Sequence, residues 1–330
     1  MCRIDRSCRP RALVAATVWR NVNRVALPKA AKLFSVANMT LAPALQNFYS
    51  TPAGMTAPGK HAAALVEVPT DLGALRETIQ GIMIHEHWAP AYRIRLSEAR
   101  KQQSHLRSTA QILDATFAKN PAPLTTVRPL YEKTVGVCRH FTLLTVAVLR
   151  QHGIPARSRC GFGSYFTLDT FEDHWVTEYW DDTRWKLMDS QIDPSQRAIL
   201  HLTMDLHDVP RDRFIIAGDA WQRCRSGRSD PKDFGIFAMR GLWFIAGNVV
   251  RDAAALLNME MLPWDMWGGM IEPEAAPTEE QLAFIDRLAE LTLDVDNRFD
   301  ELQTLDQDER LKVPATVHNA VLNRQDDVIL

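Results

Sequence analysis

GVCRHFTLL at residues 136–144 is the stretch that decides the fold, and GIPAR (153–157), DHWVTEYW (173–180) and RWKLMDS (184–190) extend it. A turn with Gly136 leads into Cys138, apolar residues then run to Leu149, and Gly153 is a typical helix stop. The pattern predicts a buried helix that has Cys138 at its N-terminus.

A cysteine at the start of a helix has a chemical consequence. The unpaired N–H groups and the positive end of the helix dipole favour the thiolate, which is the nucleophilic form of a group whose reference pKa is about 8.5. A lone cysteine is also often a small core residue. From the helix pattern alone, Cys138 is therefore either a nucleophile or a core residue.

Residues 172–190 alternate and are rich in Val, Tyr, Trp and Thr around Asp181-Asp182, which predicts a β-hairpin. If these two aspartates are the whole loop, His174 lies directly opposite Asp189. Opposed residues have Cβ atoms about 4.5–5.5 Å apart, close enough for the carboxylate to fix the tautomer of the imidazole. A three-residue loop would break this pair and make Asp193 the next carboxylate to test. A chance His–Asp pair on a surface hairpin is the alternative.

The predicted register also pairs Trp180 with Thr183, Glu178 with Trp185, and Val176 with Leu187.

Together these motifs resemble the transglutaminase-like superfamily, whose Cys, His and Asp occur in this chain order. The resemblance covers about residues 130–195. It implies an α+β fold with a papain-like core, in which the nucleophile helix packs against an antiparallel sheet between helical N- and C-terminal regions. Carried over position by position, Cys138 would be the nucleophile, His174 the general base and acid, and Asp189 the orienting acid. His140, where relatives often have an acidic residue, and Ser190-Gln191 depart from the commoner pattern.

The three groups imply thiol-dependent acyl transfer at an amide or thioester carbonyl, through an acyl-enzyme that water or an amine resolves. The expected partner is a peptide, an amide or a carrier-bound acyl substrate, and no cofactor is expected. The backbone N–H of Cys138 is the natural first oxyanion donor, and Lys133 and Tyr131 are candidates for the second. The Trp/Phe/Met-rich stretch 234–270 is either the wall of a covered channel or ordinary core. A non-catalytic binding or scaffold protein that retains the fold is the alternative.

Composition narrows the function classes. The 330 residues are 46% hydrophobic and 24% charged, which excludes collagen-like, coiled-coil and wholly disordered proteins. Residues 1–38 carry eight Lys and Arg against one Asp, a net charge of +7 that leaves −9 for the remainder. A nucleic-acid partner therefore has little support. No apolar run approaches the roughly 18 residues that span a bilayer, so no membrane partner is expected.

The predicted domain organisation follows from these patterns. Residues 1–58 are a basic leader plus linker, either a transit-like segment or a non-structural extension, and residues 59–330 form the transglutaminase-like domain. Its catalytic core is about 130–195, with helical flanks at 60–125 and 196–330. Thr278-Glu279-Glu280-Gln281 is a capping box that opens a helix. Five cysteines are too few for a disulfide scaffold and indicate a cytoplasmic setting, or an organelle if residues 1–38 are a transit peptide.

The remaining candidates have structural interpretations. No CxxC or HxxxH spacing supports a zinc site, so no metal is expected. Arg157 and Arg159 are predicted to be solvated, and Trp175 to pack in the core on the sheet face opposite His174. Cys160 is placed in a core strand, Cys224 in a polar loop, and Cys2 and Cys8 in the leader. A zinc site could be built only by combining His85, His87, Cys160 and Cys224.

Overall fold

The computed structural model describes residues 40–273 and 275–328, and the basic segment 1–38 lies outside the described residues. None of the described helices is long and apolar enough to cross a membrane. The α-helices are α1 (Pro43–Tyr49), α2 (Ala62–Val66), α3 (Leu72–Ile82), α4 (Glu98–Lys101), α5 (Thr109–Lys119), α6 (Cys138–Gln151), α7 (Pro194–Ile199), α8 (Ala217–Arg225), α9 (Leu242–Leu256), α10 (Glu279–Leu293) and α11 (Val295–Leu305). Short 3-10 turns lie at Gly54–Thr56, Gly59–His61, Glu86–Tyr92, Gln102–His105 and Pro231–Asp233.

The strands form three sheets. The strands are β1 (Met83–His85), β2 (Thr134–Gly136), β3 (Ala156–Gly163), β4 (Phe171–Trp180), β5 (Trp185–Met188), β6 (Phe214–Ile216), β7 (Phe234–Ile236), β8 (Met239–Arg240), β9 (Asp265–Met266), β10 (Thr316–Asn319) and β11 (Arg324–Asp327). The main sheet has the order β6-β3-β4-β7-β8, with β5 also paired to β4. Its pairings are antiparallel except β4 with β7, which is parallel. The expected α+β fold with an antiparallel sheet and a helix that begins at Cys138 is confirmed.

The helix α6 is the central element of the core. All of its residues from Cys138 to Arg150 are buried, because it packs against β3 and β4 of the main sheet and against α2 and α3. The helix α9 packs against β3 as well. Burial on all sides matches the mostly apolar run from Phe141 to Leu149, in which only two threonines are polar. This burial holds the first turn of α6, and with it Cys138, at the edge of β4.

The strand β4 has two different neighbours along one edge. Phe171 and Glu172 pair with β7, whereas residues 177–180 pair with β5. Residues 173–176 lie between these two partners, so the sheet has a gap at His174 and Trp175. His174 therefore lies where this edge of β4 has no partner strand, and its side chain lines a cavity.

Residues before the predicted domain start at residue 59 are part of the fold, and α1 at Pro43–Tyr49 is the first helix. Leu45, Tyr49 and Met55 are buried in the main core, and the Tyr49 hydroxyl donates to the Leu256 carbonyl at 3.1 Å. The guanidinium groups of Arg150 and Arg157 lie over the Tyr49 ring. A helix of seven residues beside a Pro/Gly-rich stretch has too little periodicity to be recognised, and it is tertiary packing that orders it.

Arg157 and Arg159 are buried, so the prediction that they are solvated is wrong. Both guanidinium groups bind the Glu178 carboxylate, at 2.7 and 3.0 Å, and Arg159 also binds Asp252 at 2.8 Å. The paired carboxylates offset the cost of removing the arginines from water. Asp252 lies on α9, far away in the sequence, and for that reason local alternation could not reveal the partner.

Candidate active site

A close approach of three segments sets the position of Cys138. A Cβ atom on Gly136 would lie 2.6 Å from the methyl carbon of Met83 and 2.8 Å from the Cβ of His140, so only glycine fits there. The His140 ring accepts the Val137 N–H at Nδ1 (3.2 Å), and its Nε2 donates to the Leu106 carbonyl (3.0 Å). Burial lowers the pKa of His140 to about 3, which is consistent with a neutral ring that makes both bonds. His140 thus holds the turn that leads into the helix.

The Cys138 thiol lies at the first residue of α6, as the sequence predicts, but its environment does not favour a thiolate. It is only 6% exposed and packs with Cys160, Trp175 and Ala255. Burial raises the pKa of the Cys138 thiol well above its ordinary value, and the carboxylate of Asp173 raises it further. The backbone N–H groups of Trp175 and Arg139 lower it by less. The expectation of a resting thiolate is therefore corrected, because desolvation outweighs the helix terminus, and attack requires a base.

His174 and Asp189 are in direct contact. The His174 Nε2 lies 2.8 Å from Asp189 Oδ2, and both side chains are buried. The Tyr165 hydroxyl donates to the same carboxylate oxygen at 2.8 Å, while Asp189 Oδ1 accepts the N–H groups of Gln191 and Ile192 at 3.0 and 3.3 Å. Burial alone would raise the pKa of Asp189, but the His174 ring and the Tyr165 hydroxyl hold it below its ordinary value. Asp189 is thus an ionised, rigidly held acceptor.

The predicted hairpin register is wrong by two residues. Trp180 pairs with Trp185, Glu178 with Leu187, and Thr177 with Met188, so the loop has four residues, 181–184. The Asp181 Oδ1 accepts the N–H groups of Thr183 and Arg184 at 3.0 and 2.8 Å and thereby closes the wider loop. Because the shift is even, every side chain stays on its predicted face. Asp189 follows the last residue of β5 and reaches His174 diagonally instead of directly.

The described residues show where the other candidates lie. Lys133 donates to the Gln80 carbonyl at 2.6 Å and Tyr131 is 65% exposed, and neither lines the cavity at Cys138. Trp175 is buried beside Cys138, and His174 contacts the rings of Tyr165 and Phe166. Asp193 caps α7 and accepts the Tyr92 hydroxyl.

Cys160 and Cys224 do not form a metal site with the histidines of the described residues. Cys160 lies in β3 as predicted, whereas Cys224 lies in α8 and not in a loop. Among the described residues, no group of three or more His, Cys, Asp or Glu side chains is placed to hold a metal ion. The rings of His85 and His87 lie 5.7 Å apart on the cavity wall, away from Cys224.

A cavity of about 720 Å³ opens at Cys138. His174, Asp173 and Phe166 line it on the side of the sheet, and His85 lines it from β1. The stretch 234–270, which the sequence left as either wall or core, supplies a large part of the lining. Sequence reasoning missed Tyr165 and His85, because Tyr165 lies in a loop without periodicity and His85 reaches the site only through the pairing of β1 with β2.

Comparison with a known protein family supports the same core. Residues 90–190 match the family model of the transglutaminase-like superfamily. A candidate cysteine protease from Cytophaga hutchinsonii is similar in its solved structure, with 17% sequence identity and a TM-score of 0.33. That similarity covers 53% of this chain and 46% of the other, so this chain spans less than half the length of that protein. No curated protein matches the chain. The segment that carries Cys138, His174 and Asp189 is thus the part of the chain that is similar to the transglutaminase-like superfamily.

Proposed function

We propose that the protein is a thiol enzyme that transfers or hydrolyses an acyl group bound as an amide or a thioester, with Cys138 as nucleophile, His174 as base and Asp189 as orienting acid. The observation that carries the proposal is the 2.8 Å contact of His174 Nε2 with a buried, ionised Asp189, on the same cavity as a thiol at a helix N-terminus. A peptide, an amide or a carrier-bound acyl group is the substrate class that suits such chemistry.

The tautomer of His174 follows from its partner. Asp189 accepts a hydrogen bond from the Nε2–H of His174, so Nδ1 is the ring nitrogen with a free lone pair in the neutral imidazole. Among the described residues, no hydrogen bond joins this ring to the Cys138 thiol. Because burial raises the pKa of the Cys138 thiol, the first step needs His174 as a base: Nδ1 takes the thiol proton while the sulfur attacks the carbonyl carbon of the bound substrate.

The later steps use the same groups. The carbonyl oxygen gains negative charge in the tetrahedral intermediate, and the Cys138 N–H at the start of α6 is placed to stabilise it. His174 returns its proton to the leaving amine or thiol, and the acyl group stays on sulfur. Water or an amine, deprotonated by His174, then resolves the acyl-enzyme.

Selective alkylation tests the assignment of the nucleophile. Iodoacetamide is expected to label Cys138 faster than Cys160, which is fully buried, and faster than Cys224, because His174 lines the same cavity as Cys138 and can take the thiol proton, whereas Cys224 lies on α8 and does not line that cavity. His174→Ala should slow labelling of Cys138 and leave Cys224 unchanged, which makes Cys224 an internal control. Equal, slow labelling of all three thiols would instead favour a scaffold that retains the fold without turnover.

A further inference from the structure

One wall of the cavity is apolar. It is built by the hairpin of β7 and β8, the first turns of α9, and the loop that follows α9. Large aromatic and aliphatic side chains make up this wall: Ile236, Phe237, Met239, Trp243, Phe244, Trp264, Met266 and Ile271.

Most polar atoms of the charged side chains that reach the cavity have partners among the described residues, and the Nε of Arg251 is an exception. Arg240 pairs with Glu172, and Arg251 donates to the Asn248 side chain at 3.1 Å and to the Asp265 carbonyl at 2.9 Å. The carboxylate of Asp173 accepts from Asn248 at 2.7 Å. A carboxylate or phosphate entering the cavity would have to compete with these contacts, whereas an uncharged group would not.

We propose that the cavity binds the acyl part of the substrate and that this acyl group is uncharged, bulky and apolar, such as a medium-length alkyl chain or an aryl group. The inference rests on the proposed function, because it assumes that Cys138 is acylated. The volume of about 720 Å³ exceeds what an acetyl group fills, and the wall offers hydrophobic contact along its length.

A series of thioesters on one small thiol tests the proposal. The acyl group runs from acetyl through butanoyl and hexanoyl to octanoyl, with phenylacetyl as an aryl member and succinyl as a charged member. The loss of thioester absorbance gives kcat/KM for the wild-type protein. We expect kcat/KM to rise about threefold to fourfold per methylene until the cavity is filled, and succinyl to be poorer than butanoyl.

Two substitutions to glutamate, one in the cavity and one outside it, test whether the cavity causes the dependence of kcat/KM on chain length. Met239 lines the cavity and is half exposed, so Met239→Glu should flatten the dependence on chain length. Ile199 is similarly exposed on α7 but does not line the cavity, so Ile199→Glu should keep the wild-type dependence. Acetyl or succinyl thioesters that react as well as octanoyl would overturn the apolar assignment while leaving the proposed function intact. No turnover and no acyl adduct on Cys138 with any member would overturn both.

A separate observation concerns the second oxyanion donor. His85 ends β1 and lies opposite Gly136 of β2, two residues before Cys138, and it lines the same cavity as Val137 and Cys138. Its Nδ1 accepts the His87 N–H at 3.2 Å. Burial lowers the pKa of His85 well below its ordinary value, and the neighbouring His87 lowers it further, so the ring is neutral. A neutral ring whose Nδ1 accepts must carry its proton on Nε2.

We infer that the Nε2–H of His85 is the second donor to the oxyanion, together with the Cys138 N–H. His85→Leu should lower kcat for octanoyl thioester by about 10²-fold to 10³-fold, and His85→Gln, which keeps a side-chain N–H, should restore a large part of it. The rate of iodoacetamide labelling of Cys138 should stay within about twofold in both variants. A purely structural role for His85 would change labelling and kcat together. A His85→Leu enzyme with kcat close to that of the wild type would contradict the inference.

Discussion

At the scale of single residues, the chemistry depends on which side chains hold a proton, and burial and neighbouring groups determine this. Cys138 keeps its proton because it is desolvated and lies near Asp173, while Asp189 loses its proton because His174 and Tyr165 bind the ionised form. The sequence contained all three members of the Cys–His–Asp set. It could not predict the protonation of Cys138, because Asp173 acts through its distance to the thiol and not through its place in a motif.

Asp189→Asn tests the orienting role. The asparagine is similar in shape and can still accept from the Tyr165 hydroxyl, so the fold should persist. Its amide cannot fix the required tautomer of His174, and kcat should fall by about 10³-fold to 10⁴-fold. Circular dichroism and kcat on the octanoyl thioester are the measurements, and Asp193→Asn, which alters the cap of α7, is the matched control. An Asp189→Asn enzyme with more than about a tenth of wild-type kcat would contradict the role.

Asp173→Asn tests the electrostatics of the cavity. Burial raises the pKa of Asp173 from 3.8 to about 6, so the folded protein holds this proton more tightly than the unfolded chain. Between these two values, stability therefore falls as pH rises. The asparagine keeps an acceptor for Asn248 and removes the charge, so the variant should gain about 3 kcal/mol in free energy of unfolding near pH 7 and almost nothing near pH 3.

The same variant should also alter the thiol. Since the Asp173 carboxylate raises the pKa of Cys138 beyond the effect of burial, its removal should lower that pKa and speed alkylation of Cys138 near pH 8. Urea unfolding at the two pH values and the alkylation rate are independent readouts. A stability gain of equal size at both pH values would show that the effect is not electrostatic.

At the scale of elements, periodicity predicted which segments are helices or strands, and tertiary contacts decided their registers and lengths. The helix α6 begins at Cys138, and Thr278 caps α10 with the predicted capping box. The hairpin of β4 and β5 has a longer loop, because Asp181 satisfies the loop N–H groups that a two-residue turn would not expose. His174 and Asp189 still meet, since a shift of two residues preserves the faces of both strands.

A one-residue insertion distinguishes the two loops. In a two-residue turn, an added Gly would shift one strand and turn Asp189 away from His174. In the observed four-residue loop, a Gly inserted between Asp182 and Thr183 lies outside the paired residues, and the buried Trp185 and Leu187 hold β5 in place. We expect kcat within about threefold of the wild type and a loss of stability of about 1 kcal/mol or less. Loss of activity together with a large loss of stability would support the shorter turn.

At the scale of the whole molecule, the catalytic core depends on residues that precede and follow it in the sequence. Tyr49 packs under Arg150 and Arg157, and the stretch 234–270 closes the cavity. Local pattern could not reveal these contacts, because they join segments that are far apart in the chain, Tyr49 with Arg150 and Asp173 with Asn248. The extent of the fold before residue 60 was therefore missed, although the core helix and its partner strands were found.

Two truncations separate the leader from the packed segment. Deletion of residues 1–38 should leave the melting temperature and the reactivity of Cys138 almost unchanged, because its composition offers little core-forming periodicity. Deletion of residues 1–58 removes the buried Leu45, Tyr49 and Met55, and it should lower the melting temperature by 10 degrees or more, on the order of several kcal/mol. Differential scanning calorimetry compares the two. Equal melting temperatures for both truncations would show that α1 does not contribute to the core.

The central claim is that Cys138 carries the acyl group during turnover, and intact-mass measurement tests it most directly. The wild-type protein is mixed with octanoyl thioester, quenched in acid during steady state, and digested to locate the adduct. We predict one octanoyl group on the peptide that contains Cys138, which is absent in Cys138→Ala and reduced by at least about tenfold in His174→Ala. Thioester consumption without an adduct on Cys138, or an adduct on Cys160 or Cys224 instead, would contradict the account.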